Sequence, residues 1–226
     1  MRNGCDGGGQ RCKVMASGAA PQLAHRTAGE GRDSGDLRGG DPGFDGCPEG
    51  LHAFFRGYFH YKSADWVDNR PYRLQAWTAA ELAKMPTYYI MDLHKNMGET
   101  VAAEMPTPAQ IAACRWLPES ELAVYSAEYG RTGFQGGLQW YRRGTQGIDT
   151  AELQLFSGRT IDVPSIFIAG KQDWGTYQRP GNFERMQQSA CIRMLGCHLI
   201  DGAGHWVQQE QPERVSELMI DFLQRQ

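Results

Sequence analysis

The sequence Asp201-Gly-Ala-Gly-His205-Trp206 follows an apolar run from Ile192 to Ile200, close to the end of the chain. The apolar run is typical of a buried strand, and the glycine-rich turn behind it places a histidine on a loop. A histidine in such a position is suited to acid–base chemistry, because its unperturbed pKa lies close to neutrality. His205 is therefore the first candidate for a catalytic residue.

A second apolar run, from Val163 to Ala169, opens into Gly170-Lys-Gln-Asp173-Trp174. The carboxyl ends of parallel strands meet at one edge of a sheet, so we expect Asp173 and His205 to lie close together. A carboxylate in that place would orient the imidazole and stabilise its charged form. The two segments together predict the acid and the base of a catalytic triad.

Three segments resemble the epoxide hydrolases of the α/β-hydrolase superfamily, and the haloalkane dehalogenases are near to them. They are Gly-Lys-Gln-Asp173, Gly202-Ala-Gly-His205-Trp206 with Gln211-Pro-Glu behind it, and Gly137-Leu-Gln-Trp140-Tyr141-Arg142. The order of the acid and then the histidine fits that fold. The resemblance covers residues 47–226 and implies an α/β fold, with a helical cap and the C-terminal part of a doubly wound sheet.

The resemblance also implies a reaction. In that family an aspartate attacks the epoxide carbon, and a histidine paired with an acid activates the water that hydrolyses the ester. Tyrosines of the cap hydrogen-bond the epoxide oxygen, and a small apolar organic epoxide or ester is the implied substrate. His205 would be the base, Asp173 the orienting acid and Tyr141 one of the cap tyrosines. The expected substrate-binding side chains are those of Trp140, Trp174 and Trp206.

Two other readings of the sequence remain open. A haloalkane dehalogenase or an esterase could share the fold, and a dehalogenase would need halide-binding groups, for which Trp140 and Trp174 are the candidates. Tyr141 alone favours the epoxide hydrolase. A non-catalytic fragment or an interaction module is the third hypothesis, because the nucleophile is not found in its expected context.

In that family the nucleophile lies on a strand-to-helix turn of the form Gly-x-Asp-x-Gly or Gly-x-Ser-x-Gly. The segment Gly31-Arg-Asp33-Ser-Gly35 has the spacing, but residues 23–30 before it do not form the pattern of a buried strand. We therefore expect a truncated and inactive form of the enzyme.

Composition divides the chain into three parts. Residues 1–46 hold 12 of the 28 glycines and a single aromatic side chain, that of Phe44. Such a stretch buries too little apolar surface to offset its ordering entropy, so a disordered leader is expected, either a segment not native to the fold or a natural flexible tail. The helical cap is expected over residues 47–150, and the C-terminal strands and helix of the sheet over residues 151–226.

Charge and cysteine content exclude several classes of partner. The net charge of −3 gives no basic surface for nucleic acid. No apolar run approaches 18 residues, which argues against a membrane span and a signal peptide and makes the cytoplasm the expected location. The six cysteines lack metal-ligand spacing. We expect neither a metal nor another cofactor.

Capping residues, glycines and prolines predict where several helices begin and end. Thr78-Ala-Ala-Glu81 has the form of a capping box, and a helix from Pro118 to Tyr129 is expected to close at Gly130. Pro212 is expected to open the last helix. The side chains expected on its sheet-facing side are Val215, Leu218, Phe222 and Leu223.

Overall fold

The computed structural model describes residues 49–139 and 150–225. Helices dominate the first of these ranges, and a small sheet with flanking helices forms the second. Residues 135–139 are also helical. The labelled helices are α1 (Gly50–Lys62), α2 (Ala79–Leu82), α3 (Met97–Ala102), α4 (Pro108–Ala113), α5 (Glu119–Thr132), α6 (Thr150–Gln154), α7 (Asn182–Arg185), α8 (Val207–Glu210) and α9 (Pro212–Gln224).

In the part of the chain that the structure describes, the sheet contains two parallel strands, β1 (Ser165–Gly170) and β2 (Met194–Ile200). Both coincide with the apolar runs of the sequence, so the predicted strands and the α/β class are confirmed. Parallel strands require a crossover connection, which here contains a 3₁₀ turn (Trp174–Thr176), α7 and a π-helical turn (Met186–Ala190). Gly170 lies opposite Ile200 in the register, so both strands end at the same edge.

Two of the predicted helix ends differ from the observed ones. The Thr78 side chain accepts the Glu81 N–H, but the Glu81 carboxylate accepts the N–H of Gln75, so only half of the expected capping box forms. Helix α5 continues through Gly130 and ends at Thr132, and its C-cap residue Gly133 has a φ of 66°, a positive value typical of glycine. The helix stops at the glycine whose backbone departs from the helical region.

The last helix packs on the sheet through a narrower face than the sequence predicts. Val215 and Leu218 are buried together with Ile168 and Ile200 of the two strands. Leu223 is 66% exposed, so its expected place against the sheet is wrong. The two described strands together cover only part of the apolar stripe of α9.

A second apolar cluster joins the α1 helix to the loop that carries His205. Phe54, Phe55 and Phe59 of α1 are buried with Leu122 of α5, and the Trp206 ring packs against them. The ring centroids of Phe59 and Trp206 are 4.4 Å apart. This cluster fixes the histidine loop against the helical part of the chain.

Several expectations concern residues that the structure does not describe. The leader at residues 1–46 lies outside the described ranges, as do Trp140 and Tyr141. The division at residue 150 also stays a prediction. Within the described ranges, none of the helices has both the length and the apolar character needed to cross a membrane.

Candidate active site

The carboxyl ends of β1 and β2 bring Asp173 and His205 together, as the sequence predicts. The turn after β1 carries Asp173 and the turn after β2 carries His205, and Nδ1 of His205 lies 3.2 Å from Oδ1 of Asp173. The side chains are nearly enclosed, with exposures of 9% for the histidine and 1% for the aspartate. A carboxylate can only accept at this distance, so Nδ1–H donates and Nε2 is left with its lone pair.

A second hydrogen bond fixes the carboxylate itself. Oδ1 of Asp173 also accepts the N–H of Gly175 at 2.8 Å, which caps the 3₁₀ turn that begins at Trp174. Oδ2 of Asp173 is buried, and none of the described residues donates to it. Asp173 therefore combines the capping role common for an aspartate after a strand with contact to the imidazole.

Burial lowers the pKa of His205 from its ordinary value, and the positive charge of Lys62 lowers it further, while Asp173 acts in the opposite direction. An imidazole with a lowered pKa stays neutral over more of the range around pH 6. A neutral imidazole is the form that accepts a proton from water. The surroundings therefore favour the basic form of His205.

Close backbone approach explains two glycines of the predicted motifs. A Cβ atom on Gly204 would lie 2.5 Å from the carbonyl oxygen of Lys62, and one on Gly170 would lie 2.1 Å from that of Gly204. Both distances are far below van der Waals contact. This packing lets the N–H of His205 donate to the Lys62 carbonyl oxygen at 2.9 Å. The glycines thus bring the end of β1, the histidine turn and the end of α1 into contact.

Sequence reasoning missed Glu210, a carboxylate that is 91% buried beside the histidine turn. It accepts the N–H groups of Ala64 at 2.7 Å, and of Gly204 and Trp206 at 3.0 Å each. Burial raises the pKa of Glu210 to about 7, and these three N–H donors act against that rise. A glutamate directly before Gln-Pro at a helix start has the sequence signature of an exposed residue, so no local pattern identified it.

Lys62 is a second neighbour that the sequence did not reveal. Its side chain is buried at the end of α1, where Nζ donates to Oη of Tyr58 at 3.3 Å. Nζ also lies 5.1 to 5.5 Å from the ring centroids of Tyr58, Tyr88, Tyr89 and Trp206. Aromatic faces stabilise an enclosed ammonium by cation–π attraction. The result is a positive charge held near the His205–Asp173 pair.

Comparison with known proteins shows that part of the chain is similar to epoxide hydrolases. No protein-family model matches the chain. Epoxide hydrolase A of Mycobacterium tuberculosis is 42% identical over 123 residues, 53% of this chain and 35% of that protein. Epoxide hydrolase B of the same organism is 36% identical over 108 residues, 48% of this chain and 30% of that protein. An epoxide hydrolase of Caballeronia sordidicola is 35% identical over 122 residues, 54% of this chain and 34% of that protein.

Solved structures agree on the fold. A laboratory-evolved variant of potato epoxide hydrolase matches 83% of this chain and 51% of its own with a TM-score of 0.57, at 23% sequence identity. Part of this chain is an epoxide hydrolase-like α/β-hydrolase. The chain spans about a third of the length of the curated relatives it matches.

Of the three tryptophans predicted to bind substrate, the two that the structure describes, Trp174 and Trp206, occupy different environments. Trp174 is 3% exposed and lies in an apolar cluster with Tyr61 and Tyr88, and its Nε1–H has no acceptor among the described residues. Trp206 donates its Nε1–H to the carbonyl oxygen of Phe59 at 2.9 Å, and its ring meets that of His205 edge to face. The roles of these tryptophans in substrate binding remain predictions, as do those of Trp140 and Tyr141.

A second group of side chains, His52, Ser126 and Glu119, has the residue types of a catalytic triad but lacks the serine-to-histidine hydrogen bond that a triad needs. His52 contacts Oγ of Ser126 at 3.0 Å and Oε2 of Glu119 at 2.7 Å on the surface between α1 and α5. The Ser126 hydroxyl already donates to the Leu122 carbonyl oxygen within its helix, so it has no proton to give to the imidazole. The Glu119 carboxylate also accepts from the Arg56 guanidinium at 2.7 Å. This set is an exposed ion-pair network that ties two helices together.

The described residues also bear on metal binding. Among residues 49–139 and 150–225, no three His, Cys, Asp or Glu side chains form a cluster suited to holding a metal ion.

Proposed function

We propose that the chain carries the water-activating half of an epoxide hydrolase. His205 is the general base, and Asp173 orients its imidazole and stabilises the imidazolium. The observation that carries the proposal is the 3.2 Å contact between Nδ1 and Oδ1 at the ends of two parallel strands, in a chain that matches epoxide hydrolases.

The proposed reaction has two steps. A carboxylate nucleophile opens the epoxide and forms an ester, while Tyr141 donates a proton to the epoxide oxygen. Nε2 of His205 then takes a proton from water, the hydroxide adds to the ester carbonyl, and collapse of the intermediate releases a vicinal diol and the carboxylate. The proton on His205 then passes to solvent and Tyr141 takes one back from solvent, so both side chains are restored for the next turnover. The substrate is a small apolar organic epoxide.

Burial and charge around the pair support this division of roles. An enclosed imidazole with a lowered pKa is neutral at the pH where a base is needed. The imidazolium formed during the second step is stabilised by the buried Asp173 carboxylate. Gly170 and Gly204 allow the two turns to approach closely enough for that contact.

The nucleophile is a separate part of the proposal. Asp33, in the sequence segment with the matching spacing, lacks the preceding apolar strand that would present it at the end of a sheet. Without a carboxylate nucleophile no ester forms, and His205 has nothing to hydrolyse. We therefore propose that residues 1–226 alone do not turn over epoxides.

A chimera tests the function directly. Residues 150–225 of this chain would replace the corresponding C-terminal segment of epoxide hydrolase A from Mycobacterium tuberculosis, whose remaining part is kept unchanged. We expect diol formation from styrene oxide that falls at least ~10²-fold in His205→Ala and is impaired in Asp173→Asn. His198→Ala, in β2, is the matched control and should retain activity. Unchanged diol formation in His205→Ala would refute the assignment of His205 as the base. His205-dependent turnover by residues 1–226 would refute the proposal that the chain alone is inactive.

A further inference from the structure

Glu210 holds the backbone on both sides of His205. Its carboxylate accepts the N–H of Gly204, which precedes the histidine, and that of Trp206, which follows it, both at 3.0 Å. The N–H of His205 between them donates to the Lys62 carbonyl oxygen at 2.9 Å. Three consecutive amide groups are thus fixed by partners outside the turn.

The same carboxylate ties this turn to the helical part of the chain. Oε2 of Glu210 accepts the N–H of Ala64 at 2.7 Å, two residues beyond the end of α1. The segment at Ala64 is itself held, because Nδ2 of Asn69 donates to the carbonyl oxygens of Lys62 and Ser63 at 3.3 and 2.8 Å. Glu210 therefore lies at the junction of α8, the histidine turn and the end of α1.

A buried carboxylate at this place is chemically unusual. Taking a carboxylate out of water is unfavourable unless hydrogen bonds replace its hydration. An apolar residue at the end of α8 would avoid that penalty, but it would leave the N–H groups of Ala64, Gly204 and Trp206 without their acceptor. The carboxylate supplies two acceptor atoms that converge on the backbone of a single turn. Its contacts fix the direction in which the His205 side chain leaves the main chain.

We propose that Glu210 is a positioning residue for His205, fixing the backbone of residues 204–206 so that Nδ1 stays in contact with Asp173. The inference rests on the proposed function for its catalytic meaning, since a misplaced imidazole lowers activity only if His205 is the base. The position of the imidazole is measurable without turnover. The two proposals can therefore fail separately.

The test uses the whole 226-residue chain with ¹⁵N-labelled histidine. The His205 ring signal is assigned by its loss in His205→Asn, and its Nδ1–H tautomer and pKa are followed by NMR in each variant. Glu210→Gln keeps the size of the side chain but places an NH₂ group opposite an amide N–H. Glu213→Gln, an exposed position on α9, is the matched control.

In Glu210→Gln we expect the share of the Nδ1–H tautomer to fall and the pKa of His205 to fall further below its ordinary value, because the contact with Asp173 that raises this pKa is weakened. Amide exchange at residues 204 and 206 should become roughly 10-fold faster, in keeping with the loss of a hydrogen bond. Glu213→Gln should match the parent. In the chimera described above, Glu210→Gln should lower kcat by roughly 10- to 100-fold with little change in KM.

Glu210→Asp provides a second variant if Glu210→Gln does not fold. It keeps the charge but is shorter by one methylene group, so we expect a change of the same sign and smaller size in the His205 signal. A folded Glu210→Gln or Glu210→Asp protein with the parental His205 tautomer and pKa would overturn the positioning role. Altered His205 signals with parental kcat in the chimera would instead leave positioning intact and refute the proposed function.

Discussion

At the scale of single residues, the main feature of the candidate site is that hydrogen bonds hold both the ring and the backbone of His205 in one position. Its ring contacts Asp173, its backbone N–H contacts Lys62, and the amides on either side contact Glu210. A side chain in this position needs little rearrangement before it can accept a proton, and that preorganisation is a general source of catalytic rate.

The lowered pKa of His205 predicts a dependence of stability on pH. Below the unfolded-state pKa of about 6.5 the unfolded chain binds a proton at this residue more readily than the folded chain does. The His205 contribution is therefore complete above about pH 6.5 and is lost as the pH falls toward the folded-state pKa. Urea unfolding at pH 7.5 and 5.5 should show the parent losing more stability than His205→Asn, by at most about 1.4 kcal/mol per pH unit.

Gln208→Asn, an exposed substitution that changes no titrating group, is the matched control and should follow the parent. Equal pH dependence in the parent and in His205→Asn would contradict the lowered pKa.

A substitution at Gly204 tests the close approach of the histidine turn to α1. Gly204→Ala places a methyl group 2.5 Å from the Lys62 carbonyl oxygen, so the backbone has to shift. We expect a loss of about 1 to 3 kcal/mol in the free energy of unfolding, the usual effect of overpacking. Gly137→Ala, where the added Cβ meets nothing within 4 Å, is the control. Equal stabilities of the two variants would show that the turn accommodates a methyl group at position 204, which contradicts the close approach to the Lys62 carbonyl oxygen.

At the scale of the elements, the sequence predicts the strands and the acid–base pair because their signals are local. The apolar runs before Asp173 and His205 are continuous, and the glycine-rich turns follow them at once. Glu210 and Lys62 were not predictable, because their burial depends on elements far away in the sequence. Ala64 and Glu210, for example, are 146 residues apart along the chain.

The end of α5 shows why a local signal can also mislead. Both Gly130 and Gly133 could close a helix, and only the backbone conformation distinguishes them. Gly133 has φ 66° and ψ −174°, a region that is essentially restricted to glycine. Gly130 remains helical, and a Cβ there would meet Leu51 at 3.8 Å, an ordinary contact.

The two glycines of α5 therefore predict opposite effects of the same substitution. Gly133→Ala should destabilise the protein by roughly 1 to 3 kcal/mol, because alanine is strained at that backbone conformation. Gly130→Ala should stabilise it by up to about 1 kcal/mol, the difference in helix propensity. Thermal unfolding of both variants measures this. A Gly130→Ala protein less stable than Gly133→Ala would contradict the observed helix end.

At the scale of the whole molecule, the fold class was predictable and the extent of packing was not. The sequence predicts the order strand, loop, strand, loop, helix from residue 160 onward, and β1, β2 and α9 follow that order, with the short helical segments of the crossover added between the strands. How much of each apolar face is covered depends on the number of strands. Met219, Ile220 and Leu223 of α9 are each more than half exposed beside a sheet whose described part has two strands. Such a face cannot be assigned as core from periodicity alone.

The central claim is that His205, oriented by Asp173, activates the water that hydrolyses an ester intermediate. The most direct measurement is the intact mass of the chimeric enzyme and of its His205→Ala variant after mixing with styrene oxide. We predict that His205→Ala accumulates a covalent adduct equal in mass to one epoxide molecule while the parent chimera does not. A His205→Ala protein that forms no adduct and releases diol at the parental rate would contradict the account.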